Sequence, residues 1–246
     1  MSFIFNTFLY QPLMNILILI YQFVPGQDFG IAIILLTFFI RLLLYPVSAK
    51  GVKSQKMLNQ VQPEIKKIQK EYKNDKEKQV KLILEVYKKA KISPFSSILP
   101  LLIQLPVLIA LYRVFWKVQA PEMSQSLYSF VSAPSEINSM FLGIIDLAQK
   151  GLVQEINGEQ TFLFGSLVII IGAVIAQFVQ MKMISSKQKK SDSQDVAERM
   201  QKQMMYFFPF FTFFILLQLP LAIGLYWLFS TVFSIAQQYV ILRKDE

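Results

Sequence analysis

The run "LTFFIRLLLYP" (Leu36 to Pro46) places one arginine, Arg41, inside an almost unbroken apolar stretch. At the centre of a bilayer span a charged side chain costs about 2.5–3.5 kcal/mol or more. Such a side chain either snorkels to the interface or faces a water-filled cavity. The near-central position of Arg41, followed by "LLLYP", favours the cavity. Thr37 lies one turn earlier. Two other apolar segments carry polar faces of their own. Gly165, Gly172, Ala176 and Gln180 are spaced 7, 4 and 4, which puts them on one helix face. Trp227, Ser230, Ser234 and Gln238 share another, with Thr231 and Gln237 beside it. Taken singly, these groups join helices. All sixteen acidic residues lie outside the apolar segments, so Arg41 has no carboxylate there to pair with. Three polar faces around an unbalanced cation suggest a shared wet groove. Its chemistry is attraction of acidic or polar peptide segments arriving from the cytoplasm, with no bond made or broken.

Composition supports that restriction. The 246 residues are 54% apolar, with 22 Phe, 10 Tyr and only 9 Gly, and the mean hydropathy is +0.43. The apolar residues fall in long blocks separated by charged segments, the pattern of a polytopic membrane protein. Cysteine and histidine are both absent, which removes disulfide frameworks, a lipid-modified cysteine, zinc sites and Cys or His catalysis. No metal or cofactor is expected. The first residues have no charged n-region and no small-residue cleavage site, so no removable signal peptide is expected.

The elements that must position these residues follow from windows near 20 residues with few charges. Spans are expected at 31–49, 98–116, 162–181, 204–218 and 221–242. The last two form one 39-residue apolar stretch, about 58 Å as a single helix and nearly twice the roughly 30 Å hydrocarbon core. "QLPLAIG" (Gln218 to Gly224) offers Pro220 and Gly224 for a tight turn, so the stretch divides there and leaves a short fourth span. Residues 3–24 are apolar enough to span, yet Thr7, Gln11, Asn15 and Gln22 lie on one face. A one-sided polar stripe suits a helix lying in the interface, so 1–30 is read as an interfacial helix and turn, giving five spans rather than six.

Charge sets the orientation. Residues 50–91 hold thirteen Lys against five acids, 182–203 six Lys/Arg against three, and 117–160 two Lys against five acids. The first two segments are expected in the cytoplasm and the loop 117–161 outside. The N-terminus is then extracytoplasmic and the tail 243–246 cytoplasmic. Within 50–97, Met57, Val61, Ile65, Ile68 and Tyr72 recur at helical spacing, as do Val80, Leu84 and Tyr87. "KNDK" (Lys73 to Lys76) separates them, which predicts a basic helical hairpin carrying Lys66, Lys67, Lys70, Lys73 and Lys76. Such lysines suit anionic lipid headgroups.

"PLLIQLPVLIALYRVF" (Pro100 to Phe115) resembles the second core span of the YidC/Oxa/Alb membrane protein insertases. So do "GIAIILLTFFIRLLLYP", "QPEIKKIQKEYKND", "FLGIIDLA", "FVQMKM" and "LYWLFSTVFSIAQQYVI", in the same order along nearly the whole chain. The resemblance implies an all-α membrane fold, with five helices around a groove open to cytoplasm and lipid and closed to the outside, in a bacterial plasma or inner membrane. It implies groove roles for Arg41, Thr37, Gln180 and Trp227, and an outer-surface helix at 3–24. Leu105 and Leu108 would guide the apolar segment of a nascent chain. The hairpin would engage ribosome, targeting factor or substrate, and a Sec-type translocon is a further expected partner. "ISPFSSILP" (Ile92 to Pro100) departs from the family's usual composition. The chain ends in "RKDE", which makes the hairpin rather than a basic tail the expected ribosome contact. Two other functions fit the polar spans. A small-solute transporter or channel predicts internal repeats or paired broken helices, and no repeat is present. A structural subunit of a larger membrane complex predicts no insertion by the protein alone.

Overall fold

The computed structural model describes residues 3–93, 99–118, 120–156, 158–184 and 196–243. The first helix, α1 (Phe3–Phe23), contains a single π turn at Asn6–Tyr10. Arg113 sits against that turn: Nη1 donates to Asn6 Oδ1 at 2.9 Å, and the guanidinium lies 5.9 and 5.5 Å from the Phe5 and Tyr10 ring centres. After a 3-10 turn at Pro25–Gln27, Asp28 caps α2 (Phe29–Leu43). Its Oδ1 accepts the Ile31 N–H at 2.9 Å, and its Oδ2 accepts the Leu142 N–H at 2.6 Å. One carboxylate thus starts the helix and ties it to a distant loop.

The stretch read as a span over 31–49 is not straight. At Leu44 the chain bends by 66° into α3 (Tyr45–Glu71). Pro46 falls in the first turn of α3; it has no N–H to give, and its ring crowds the carbonyl four residues back. Helix α3 leads through a turn into α4 (Lys76–Lys89), which is capped by Asp75 accepting the Lys78 N–H at 3.0 Å. Helices α5 (Leu99–Lys117), α6 (Phe164–Ile184), α7 (Val196–Gln218) and α8 (Leu221–Arg243) follow. Part of "ISPFSSILP", half of the 182–203 loop and residues 244–246 lie outside the described residues.

Among the described residues, α1, Phe164–Met183 and α8 are each long and apolar enough to cross a membrane, and α2 with α3 qualifies as a bent pair. The apolar part of α7, Met205–Gln218, is shorter, about 21 Å at 1.5 Å per residue.

The protein is mostly helical, but the loop between α5 and α6 adds two antiparallel ribbons that an all-α reading does not contain. β1 (Met140–Phe141) pairs with β2 (Ile145–Asp146) in the register Met140 to Asp146. β3 (Val153–Ile156) pairs with β4 (Glu159–Phe162), Val153 facing Phe162. The first ribbon closes through Leu142 and Gly143, both at positive φ (52° and 70°), with Ile144 N–H donating to Phe141 C=O at 3.1 Å. Two left-handed residues in succession form the centre of a turn that matches the right-handed twist of a hairpin, and Ile144 completes a three-residue loop between the paired Phe141 and Ile145.

This loop binds the helices together. Asn15, 2% exposed, donates to the Gln11 and Ser126 carbonyls (2.8 and 3.1 Å) and accepts the Tyr128 N–H at 2.7 Å. Gln22 donates to Ser132 C=O at 2.6 Å. Much of the polar stripe read on α1 therefore faces the chain's own loop backbone. At the α7–α8 junction, Leu221 and Ala222 donate to the Gln149 and Leu147 carbonyls at 2.8 and 2.9 Å. These satisfy two of the N–H groups that any helix start leaves open. Pro220 occupies the turn, but Gly224 does not: it lies within α8, where an added Cβ would come 3.3 Å from the Ile169 side chain of α6. Gly224 serves close helix packing instead.

The apolar core gathers Met14, Leu17 and Ile18 from α1, Ala32, Ile33 and Leu36 from α2, and Leu111 and Val114 from α5. Ile170 and Ala173 of α6 and Ile223 and Leu225 of α8 complete it, together with Leu147 of the loop. Helix α8 packs against α2, α3, α5, α6 and α7, so its polar face is where the chain's other polar groups can meet.

Candidate functional site

Arg41 and Ser230 meet although 189 residues separate them. The arginine Nε–H donates to Ser230 Oγ at 2.8 Å, and Nη2 reaches the same oxygen. Ser230 is 2% exposed while Arg41 is half-buried. A guanidinium has five N–H donors, so three remain beyond the two directed at Ser230. No carboxylate pairs with Arg41 among the described residues. Ser234, one turn on, donates from Oγ to the Ser230 carbonyl at 3.0 Å, so its proton stays within its own helix. Thr37 is buried and likewise donates to Ile33 C=O at 2.7 Å. Thr37 is thus close to Arg41 along α2, but its hydroxyl proton is committed.

Trp227 reaches the polar cluster through Gln177, not Gln180: its Nε1–H donates to Gln177 Oε1 at 3.1 Å. Gln180 is half-buried one turn away, with no hydrogen bond to Trp227. Gln238 is buried, and its Oε1 has no partner among the described residues. Leu105 is exposed, whereas Leu108 is half-buried against the core.

Three groups in this region escaped selection from the sequence. Gln104 donates to the Tyr226 hydroxyl at 2.5 Å, joining α5 to α8. Gln104 was visible as an isolated amide within an apolar run, and Tyr226 gave no signal beyond its neighbour Trp227. Gln177 was visible too, three residues before Gln180 on nearly the same face.

The basic hairpin forms, with a different inner seam. Leu58 and Ile65 of α3 and Gln79 and Val86 of α4 are buried, and Gln79 Nε2 donates across to Gln69 C=O at 3.0 Å. Val80 and Leu84, expected on the apolar stripe, are 56% and 54% exposed. Helix α4 has apolar residues on two faces, and the 79–86 face turns inward. Lys67, Lys70, Lys73 and Lys76 are exposed and Lys66 is half-buried. Lys76 Nζ lies 3.5 Å from Gln79 Oε1, and Lys78 sits 4.7 Å over the Tyr72 ring.

A helical bundle with helices long and apolar enough to cross a membrane, an arginine with no carboxylate partner among the described residues and a basic hairpin defines a multi-pass membrane protein. Residues 19–246 match the 60Kd inner membrane protein family, and the chain belongs to that family, the YidC/Oxa insertase group that the sequence motifs resemble. It is 34% identical over 216 residues to the membrane protein insertase YidC of Francisella philomiragia subsp. philomiragia. Identity to the membrane protein insertase YidC of Francisella tularensis subsp. novicida is 33% over 216 residues. Both alignments cover 88% of this chain and 33% of the relative, so the chain spans about a third of the length of the curated relatives it matches.

Proposed function

We propose that this chain is a membrane protein insertase that receives nascent apolar segments from the cytoplasm and releases them sideways into lipid. The observation that carries this reading is Arg41: a cation set in an apolar helix, held by one hydroxyl, with donors to spare and no acidic partner among the described residues. A purely structural arginine would be expected to have its donors satisfied. A substrate's polar flank must cross roughly 30 Å of hydrocarbon, where each unsatisfied backbone group costs several kcal/mol. Water held around Arg41, between α2, α5, α6 and α8, shortens that dry path, and the guanidinium attracts acidic residues of the flank. The short apolar part of α7 supports local thinning beside the groove. Energy comes from partitioning of the apolar segment and from the membrane potential, worth about 2.3 kcal/mol per charge per 100 mV, which favours export of acidic tails.

In this reading five helices, namely α2 with the start of α3, then α5, α6, α7 and α8, cross the bilayer. The α5–α6 loop is extracytoplasmic, and the hairpin and C-terminus are cytoplasmic, in keeping with the lysine distribution. Helix α1, whose polar face is bonded to loop 121–132, lies with that loop at the outer interface. The exposed lysines Lys67, Lys70, Lys73 and Lys76 suit ribosome, targeting factors and anionic headgroups, with a Sec-type translocon as a co-worker. The test is site-specific photocrosslinking at positions 180 and 227, with lipid-facing controls at Val168 and Ile175, against ribosome-stalled chains carrying one apolar segment. Crosslinks confined to the two groove positions and weakened by Arg41→Ala are expected. Equal labelling of groove and control positions, or none, refutes the groove.

A further inference from the structure

We propose that Gln237 is a positioning residue that fixes the direction of the α2–α3 bend, and through it the angle at which the basic hairpin leaves the bundle. The proposal deepens the insertase reading by naming what joins groove to hairpin. The Pro46 ring opens the helix on its own side, but the lost ladder bond leaves the angle and exact direction of the bend soft, so a contact from outside the bent helix can hold them. Gln237, 5% exposed, is placed to do so. Its Nε2 donates to Ser48 Oγ at 2.8 Å and lies 3.3 Å from Tyr45 C=O, the first carbonyl beyond the bend. Its Oε1 lies 3.1 Å from Ser48 Oγ. The Ser48 hydroxyl also lies 3.0 Å from the Leu44 and Tyr45 carbonyls, so its single proton always has an acceptor.

The register strengthens the case. Arg41 with Ser230 and Ser48 with Gln237 are both 189 residues apart. The second pair lies seven residues beyond the first on both segments, two turns on, so Ser230 and Gln237 fall on one face of α8. Helix α8 therefore holds the chain on either side of Leu44, with the groove arginine on one side and the hairpin's root on the other. Because the amide is buried, water cannot replace it in the folded state without a rearrangement.

Lys70 stands 25 residues beyond Tyr45, roughly 38 Å along a helix at about 1.5 Å per residue, so a change of about 10° at the bend moves it by about 7 Å. The chain has no cysteine, and spin labels can be attached at introduced cysteines in the full chain in lipid nanodiscs. The pair at positions 70 and 239 reports the hairpin against α8; the pair at 39 and 239 reports α2 against α8. With Gln237→Leu, a 70–239 distance distribution shifted or broadened by about 5 Å or more, with an unchanged 39–239 distance, is expected. Ser48→Ala should do the same to a smaller extent. An unchanged 70–239 distribution in both variants overturns the proposal, as does an equal shift of both pairs, which would make Gln237 an ordinary packing residue. Insertion should fall severalfold in Gln237→Leu. A moved hairpin with full insertion would leave the positioning role standing and overturn its link to insertion, whereas no insertion by the parent chain would overturn the insertase reading and leave the distance result intact.

Discussion

Replacing Arg41 by alanine should have opposite effects on stability and on activity. A hydrogen bond to a charged group contributes about 1.5–3 kcal/mol, and Arg41→Ala loses the one to Ser230. The same substitution removes a charge whose placement in the membrane costs about 2.5–3.5 kcal/mol. The difference lies between about 0.5 kcal/mol of destabilisation and about 2 kcal/mol of stabilisation. Ser230→Ala behaves differently: it leaves the charge in place without its acceptor, and should cost about 1.5–3 kcal/mol. The ordering of stability is therefore Arg41→Ala no more than about 0.5 kcal/mol below the parent and up to about 2 kcal/mol above it, and Ser230→Ala about 1.5–3 kcal/mol below it. Equilibrium unfolding in mixed micelles reads this order, and the double variant gives the coupling energy. Reconstituted insertion of a substrate with an acidic tail should fall tenfold or more in Arg41→Ala. A loss of more than about 2 kcal/mol in Arg41→Ala with insertion intact would refute the reasoning. The arginine would then be helix glue.

Asn15→Leu removes the acceptor of the Tyr128 N–H and two donated bonds; a loss of about 1–3 kcal/mol in denaturant unfolding is expected. Gly30→Ala would drive a Cβ into the Phe141 ring. It should destabilise by about 1–3 kcal/mol, and Phe141→Ala in the same chain should recover part of that in a thermal melt. In the hairpin, Val86→Ala should lower stability by about 1–2 kcal/mol through its buried contacts, whereas Leu84→Ser should stay within about 0.5 kcal/mol. Gln177→Leu deprives the Trp227 indole of its acceptor. In a Trp116→Phe background, its fluorescence emission should move to shorter wavelength, and no shift would show the bond to be absent in lipid.

Features that depend on one segment were legible in the sequence, and those that depend on a meeting of segments were not. A charge within an apolar run is a local fact, so Arg41 was visible at once, as were the apolar blocks and the hairpin's turn. The family motifs carried the order of the elements. Which amide meets Trp227 is not local: Gln177 and Gln180 lie on nearly one face, and only the relative height of α6 and α8 selects between them. The polar stripe on α1 was visible, but the partners of its Asn15 and Gln22 include backbone groups of Ser126, Tyr128 and Ser132, which side-chain patterns do not encode. Helix α4 misled because apolar residues occupy two of its faces and the register against α3 decides which is buried. The bend at Leu44 had a visible cause in Pro46, but its 66° angle is also a matter of what α8 holds on either side.

The carbonyls of Leu147 and Gln149 that receive the first N–H groups of α8 impose an order on the chain's own birth. Synthesis runs from the N-terminus, so the loop that carries those carbonyls exists well before the helix that needs them. Until residues 221 and 222 arrive, the loop can be threaded, and its ribbons closed, while that end of the bundle stands open. Helix α8 then docks onto a finished ledge. A polypeptide stalled before residue 221 is a lidless vessel: its early helices and its loop are made, and the partition that joins them is still missing.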